Sequence, residues 1–112
     1  MFGGIEAGGT KWLCVVGRGA DVHAELRVPT TTPAATLDAV VRFFHEQQAA
    51  RGPIAGFGIG SFGPVDLHPE SPRFGSITAT PKPGWAGTDV VGAFTRAFDV
   101  PVAFDTDVNA AA

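Results

Sequence analysis

Cysteine is nearly absent from this chain: of 112 residues, Cys14 alone carries a thiol. A lone thiol excludes a disulfide framework and suits a reducing cytoplasm. Its place in the apolar run Trp12-Leu13-Cys14-Val15-Val16 reads as a small core hydrophobe. Histidine is sparse too. His23, His45 and His68 lie far apart and have no ligand spacing with Cys14, which argues against a Cys/His zinc site in these residues. Basic residues are few and scattered, eight Lys and Arg against eleven Asp and Glu, for a net charge of −3. Without a basic stripe to neutralise phosphates along a duplex, nucleic acid is not an expected partner. No apolar run approaches a membrane span, and Gly3, Gly4 and Glu6 interrupt the start too early for a secretory signal. Internal repeats and low-complexity tracts are missing. What remains is a chain of single-domain length whose 45% hydrophobic content is enough to build a core.

The hydrophobic pattern divides the chain into elements. Residues 2–7 and 11–17 read as two strands. A third follows at 22–29, where Val22, Ala24, Leu26 and Val28 alternate with His23, Glu25 and Arg27, the mark of a half-buried antiparallel strand. Thr30-Thr31-Thr32-Pro33 is a turn, with Thr32 as N-cap and Pro33 at the first helical position. Leu37, Val40, Val41 and Phe44 then share a helical face that ends before Gly52-Pro53. A strand over 54–60 alternates large residues with Gly56, Gly58 and Gly60, a face on which a helix or ligand backbone could pack closely. Residues 64–87 form a long irregular connection, a kind of loop more often functional than idle. Thr88 is the expected N-cap of a second helix, with Asp89 in its first turn and an apolar face of Val90, Val91, Phe94, Ala97 and Phe98. A short buried strand follows at 100–104. The order βββαβαβ predicts a mixed α/β sheet, three antiparallel strands first and helix-linked parallel strands after them.

Two segments carry chemistry. At the start, Glu6-Ala7-Gly8-Gly9-Thr10-Lys11 joins two strands through a two-residue glycine turn at Gly8-Gly9. Without side chains there, a phosphate could approach the backbone N–H groups closely. Thr10 adds a hydroxyl donor, and Glu6 stands where it could meet a magnesium ion through water. A plain hairpin has the same pattern. At the other end, Asp105-Thr106-Asp107-Val108-Asn109 follows a strand and opens an alanine-rich helix, the place where open α/β sheets put their ligands. Asp107 also reads as a helix N-cap, and a cap that the dipole keeps ionised is compatible with a chemical role.

Taken with Gly60-Ser61-Phe62-Gly63-Pro64-Val65-Asp66, these segments resemble the successive signatures of the ROK sugar kinases. The stretch Ile77-Thr78-Ala79-Thr80-Pro81-Lys82-Pro83-Gly84-Trp85 is similar to the fructokinase-like branch of that family. The resemblance implies a ribonuclease-H-like (actin-like ATPase) N-terminal lobe over residues 1–112, truncated before a nucleotide-binding second lobe. It implies transfer of the ATP γ-phosphate to a hexose, fructose foremost, in a cytoplasmic, magnesium-dependent enzyme that is a homodimer at full length. By the same resemblance Asp107 is the general base, and Gly63, Thr80, Pro81 and Asn109 bind the sugar. Gly8, Gly9, Thr10 and Lys11 hold phosphate, and Glu6 serves magnesium through water. Lys11 remains open between phosphate binding and a solvated charge, as does Trp85 between a sugar-pocket wall and a core anchor. Asp66 and Asp105 read as turn and support residues. Any zinc, as many members carry, would be held by residues beyond Ala112. Two departures stand out: Glu6 replaces the family's usual Asp, and Thr106 replaces the Asn that often precedes the catalytic Asp. Alternative readings are a non-catalytic fragment and a sugar-sensing ROK repressor. Against the second, only Met1 to Ile5 precede Glu6, where repressors carry a helix-turn-helix, and Asp107 is kept.

Overall fold

The computed structural model describes residues 1–106 apart from Pro64, Ala79 and Pro81. Within them the chain forms β1 (Phe2–Ala7), β2 (Lys11–Arg18), β3 (Asp21–Pro29), α1 (Pro33–Arg51), β4 (Phe57–Ser61), α2 (Val90–Phe98) and β5 (Val102–Thr106). The strands make one sheet in the order β3-β2-β1-β4-β5. β1 pairs antiparallel with β2, and β2 with β3, while β1–β4 and β4–β5 are parallel. This is the mixed sheet that the order of elements predicts.

Side-chain alternation assigns the two faces. Ile5, Ala7, Trp12, Cys14, Val16, Phe57 and Ile59 are buried together with Val40 and Phe44 of α1 and Val90 and Phe94 of α2, so both helices cover one face. Phe44 packs edge-on against Phe57 at 4.9 Å between ring centroids, and Phe57 lies 5.4 Å from Phe94. A second aromatic group, Trp12, Trp85 and Phe62, fills the core beneath the opposite end of the sheet, with centroids 5.8 and 5.6 Å apart. Each such side chain, once fully buried, contributes about 1.5–3 kcal/mol of apolar burial. The other face carries Phe2, Glu6, Leu13, Val15, Gly58 and Ala103, and no helix among the described residues covers it.

The helix ends follow capping chemistry. Thr32 Oγ1 accepts from the Ala35 amide at 3.2 Å with Pro33 behind it, as expected. α2 is capped by Asp89, whose carboxylate accepts from Gly92 N at 2.8 Å, and not by Thr88. The Thr88 carbonyl instead accepts from Ile77 N, which ties the residue into the preceding loop.

Two strands begin later than their patterns suggest. Ile54 donates its amide to the Gln48 side chain, so β4 opens at Phe57 and runs through Ser61. Pro101 has no amide to give a ladder, so β5 starts after it and continues through Asp105 and Thr106. Gly58 and Gly60 therefore share the helix-free face, while Gly56 lies before the strand. The described part of the connection from 64 to 87 is more ordered than its composition suggests. Antiparallel bridges join Val65 to Ile77 and Ser76 to Asp89, and Ile77 and Trp85 are fully buried. No described helix is long and apolar enough to cross a membrane.

Candidate functional site

Because β1, β4 and β5 are parallel, their carboxyl ends open on the same edge of the sheet. Ala7, Ser61 and Thr106 stand in one row across these strands, and Glu6, Gly60 and Asp105 in the row beneath. Two strand spacings separate the outer members of each row, about 10 Å. Beyond the first row the chain leaves the sheet at Gly8 and at Phe62, side by side, next to the end of β5 at Thr106. The Phe62 amide still donates to the Ala7 carbonyl at 2.7 Å, which holds the first two exits together. Asp107, Asn109 and Pro81 themselves lie outside the described residues.

At the first exit, Gly8 N donates to Lys11 O at 3.0 Å, so the hairpin turn is centred on Gly9-Thr10 and not on Gly8-Gly9. The two glycines have different reasons to be there. A Cβ on Gly8 would sit 2.7 Å from the Lys11 carbonyl oxygen, so the turn itself excludes a side chain. A Cβ on Gly9 would meet nothing within 4 Å, and its φ lies outside the left-handed range. The chain's own packing thus does not require glycine at position 9, and the space above that backbone is open. Among the described residues nothing accepts from the amides of Gly9 or Thr10. Open space and unclaimed N–H groups make a cradle for an anion. Lys11 is exposed and shares the face of Leu13 and Val15.

Glu6 is exposed on the helix-free face, and Asp105 is half-buried on the same face. Gly60 between them contributes no side chain, so the gap remains clear. The floor continues through Gly4 and Gly58 with Leu13 and Val15 as a wall, enclosing a trough of about 520 Å³. No three His, Cys, Asp or Glu among the described residues gather around one point. A cation at Glu6 would thus need water or a ligand's oxygens, the usual manner of magnesium.

Gly63 and Thr80, which the resemblance assigns to the sugar, are placed by local contacts. Gly63 is half-buried, and a Cβ there would come within 2.9 Å of Val65 N. Thr80 Oγ1 accepts from Lys82 N at 3.2 Å, which fixes the turn on which it sits. Trp85 is fully buried and donates from its indole nitrogen to Thr31 O at 2.8 Å. Of its two readings, the core anchor is the one observed. Asp66 is a turn residue: the Ser71 hydroxyl and the His68 amide hold its carboxyl below the usual carboxylate range. Cys14 has no exposure, and burial pushes its thiol up to about 12, so it stays protonated and inert near neutrality.

One residue of the site escapes the sequence pattern. The sequence marks Thr30 only as part of a turn, yet it is buried and bonds the hairpin twice, Oγ1 to Gly8 O at 2.7 Å and N to Thr10 O at 2.9 Å. Extending the β2–β3 register one residue beyond Lys11 and Pro29 pairs Thr10 with Thr30, a signal present in the strand alternation.

Comparison with known proteins adds the lineage. A fructokinase from Zymomonas mobilis is 50% identical over 115 residues, and one from Streptococcus mutans is 44% identical over 113. Each alignment covers all of this chain but 38% of the relative. The crystal structure of a ROK hexokinase from Thermus thermophilus matches with a TM-score of 0.79 at 26% identity, over 99% of this chain and 36% of that one. The chain therefore spans little more than a third of the length of these proteins. Its fold is part of the actin-like ATPase architecture, at the N-terminal lobe, as the resemblance implied. The ROK family model matches residues 2–112, and the chain belongs to the ROK family.

Proposed function

We propose that residues 1–112 are the sugar- and phosphate-binding N-terminal lobe of an ATP-dependent hexose kinase, with fructose as the foremost substrate. The fructokinase relatives at 44–50% identity support that choice of substrate. The carrying observation is the shared edge: the Gly9-Thr10 turn, the Phe62-Gly63 exit of β4 and the end of β5 at Thr106 open side by side. Phosphoryl transfer is chiefly a matter of positioning and charge stabilisation, so the phosphate cradle and the base have to share one cleft.

In this reading the amides of Gly9 and Thr10, with the Thr10 hydroxyl, hold the transferring phosphate, while Gly8 shapes the turn and Lys11 adds charge. Asp107 takes the proton of the attacking sugar hydroxyl. Asn109, Gly63, Thr80 and Pro81 bind the sugar. Glu6 fits a magnesium ion held through water, since its carboxylate is exposed and faces the clear gap over Gly60. Magnesium would supply neutralisation of the phosphate charge. Zinc, if the longer protein uses it, belongs to residues outside this chain. The full-length enzyme is proposed to act in the cytoplasm as a homodimer.

Since the chain corresponds to little more than a third of its relatives, it is expected to bind ATP weakly and to give no useful turnover alone. A coupled assay with fructose and ATP checks this, and robust phosphorylation by the purified chain would contradict it.

The glycine pair separates cradle from scaffold. Gly9→Ala meets no neighbour, so its stability should stay within about 1 kcal/mol of the parent chain. Its ATP affinity should fall about tenfold, because the new methyl occupies the space a phosphate needs. Gly8→Ala drives a Cβ onto the Lys11 carbonyl and should cost about 1–3 kcal/mol of stability. Urea denaturation and ATP titration by NMR measure both variants. Full ATP affinity in Gly9→Ala would remove the turn from phosphate binding.

A further inference from the structure

We propose that Thr30 is a positioning residue for the phosphate-facing turn, an inference that rests on reading Gly9-Thr10 as the cradle. The argument begins with the peptide plane. In a trans peptide the carbonyl of one residue and the N–H of the next point in opposite directions. The Thr30 hydroxyl holds the Gly8 carbonyl at 2.7 Å, so the Gly9 N–H is turned away from Thr30. That is the amide with open space above it and no acceptor among the described residues. The Thr30 amide holds the Thr10 carbonyl at 2.9 Å and pins the other shoulder of the turn. Both carbonyls are thus drawn toward a buried threonine, which turns the Gly9 N–H, and by the same rule the Lys11 N–H, to the outer side. An anion cradle needs that polarity, since a carbonyl facing the phosphate would repel it.

Thr30 is itself fixed from behind. The next residue, Thr31, donates its amide to Thr36 Oγ1 at 3.0 Å and accepts the Trp85 indole at its carbonyl. Thr32 caps α1. The segment 30–32 therefore ties the hairpin, the first helix and the loop carrying Thr80 and Trp85 to one point.

The test compares Thr30→Val, which keeps the branched shape and loses the hydroxyl, with Thr30→Ser, which keeps the hydroxyl. Two readouts are taken on the 112-residue chain: amide exchange at Gly8 and the shift of the Gly9 and Thr10 amides on titration with ATP. Thr30→Val should speed Gly8 exchange and weaken ATP binding, each about five- to tenfold, the worth of one buried hydrogen bond. Thr30→Ser should behave as the parent chain. ATP affinity unchanged in Thr30→Val, or lost in Thr30→Ser, overturns the positioning role. The underlying reading fails separately: ATP that leaves both amides unshifted in the parent chain removes the cradle. Unchanged Gly8 exchange in Thr30→Val removes the anchoring.

Discussion

Asp107→Asn should lower hexose phosphorylation by about 10²–10⁴-fold while leaving hexose binding nearly intact. The measurement needs a second lobe, which a chimera supplies: this chain in place of the matching 38% of the Zymomonas mobilis relative. The size of the loss is that of a positioned general base, about 3–5 kcal/mol of transition-state stabilisation. Asparagine keeps the shape of the side chain and can still cap a helix, so folding should be spared. It cannot accept the hydroxyl proton, so turnover is not. Thr106 pairs with Ser61, which pairs with Ala7, and the turn proposed to hold phosphate begins at the next residue. The end of β5 at Thr106 thus stands two strand spacings from Ala7, about 10 Å, a separation that a sugar hydroxyl and a phosphoryl group can fill. A fall in hexose affinity with turnover unchanged would give Asp107 a binding role and refute the base.

The parts legible in the sequence are those fixed by local pattern. Alternation over 22–29 marks β3, and Thr32-Pro33 marks the start of α1, because each depends on residues a few positions apart. The turn centre lies one residue later than the glycine pair suggests because the Gly8 N–H to Lys11 O bond is a property of the closed hairpin. Asp89 in place of Thr88 as cap has the same origin: the Thr88 carbonyl is committed to Ile77, eleven residues back. The described part of the connection from 64 to 87 has no periodic trace in the sequence because contacts such as the Val65–Ile77 and Ser76–Asp89 bridges and the buried indole are not periodic. The candidate site was legible as motifs at Glu6–Lys11 and Asp105–Asn109. That the first two exits share an edge with β5 follows from the parallel pairing, which the order of elements already implies. Thr30 was hidden because a threonine run before a helix has a sufficient local explanation in capping.

Trp85→Ala should cost about 3–5 kcal/mol, a large fraction of the stability of a domain this size. The indole is fully buried between Trp12 and Phe62, and its removal leaves a cavity lined by two aromatic rings and the Thr31 carbonyl without its donor. Phenylalanine variants separate packing from hydrogen bonding. Trp85→Phe retains much of the apolar contact but leaves Thr31 O unpaired, adding about 1–3 kcal/mol to the packing loss. Trp12 is equally buried, yet its indole nitrogen has no partner among the described residues, so Trp12→Phe gives up no hydrogen bond and removes an unsatisfied donor. Trp12→Phe should therefore be the milder substitution by about 1 kcal/mol or more. Urea denaturation with an unchanged m-value reads the difference directly as a shift in midpoint. Equal costs for the two phenylalanine variants would mean that the Trp85–Thr31 bond contributes nothing.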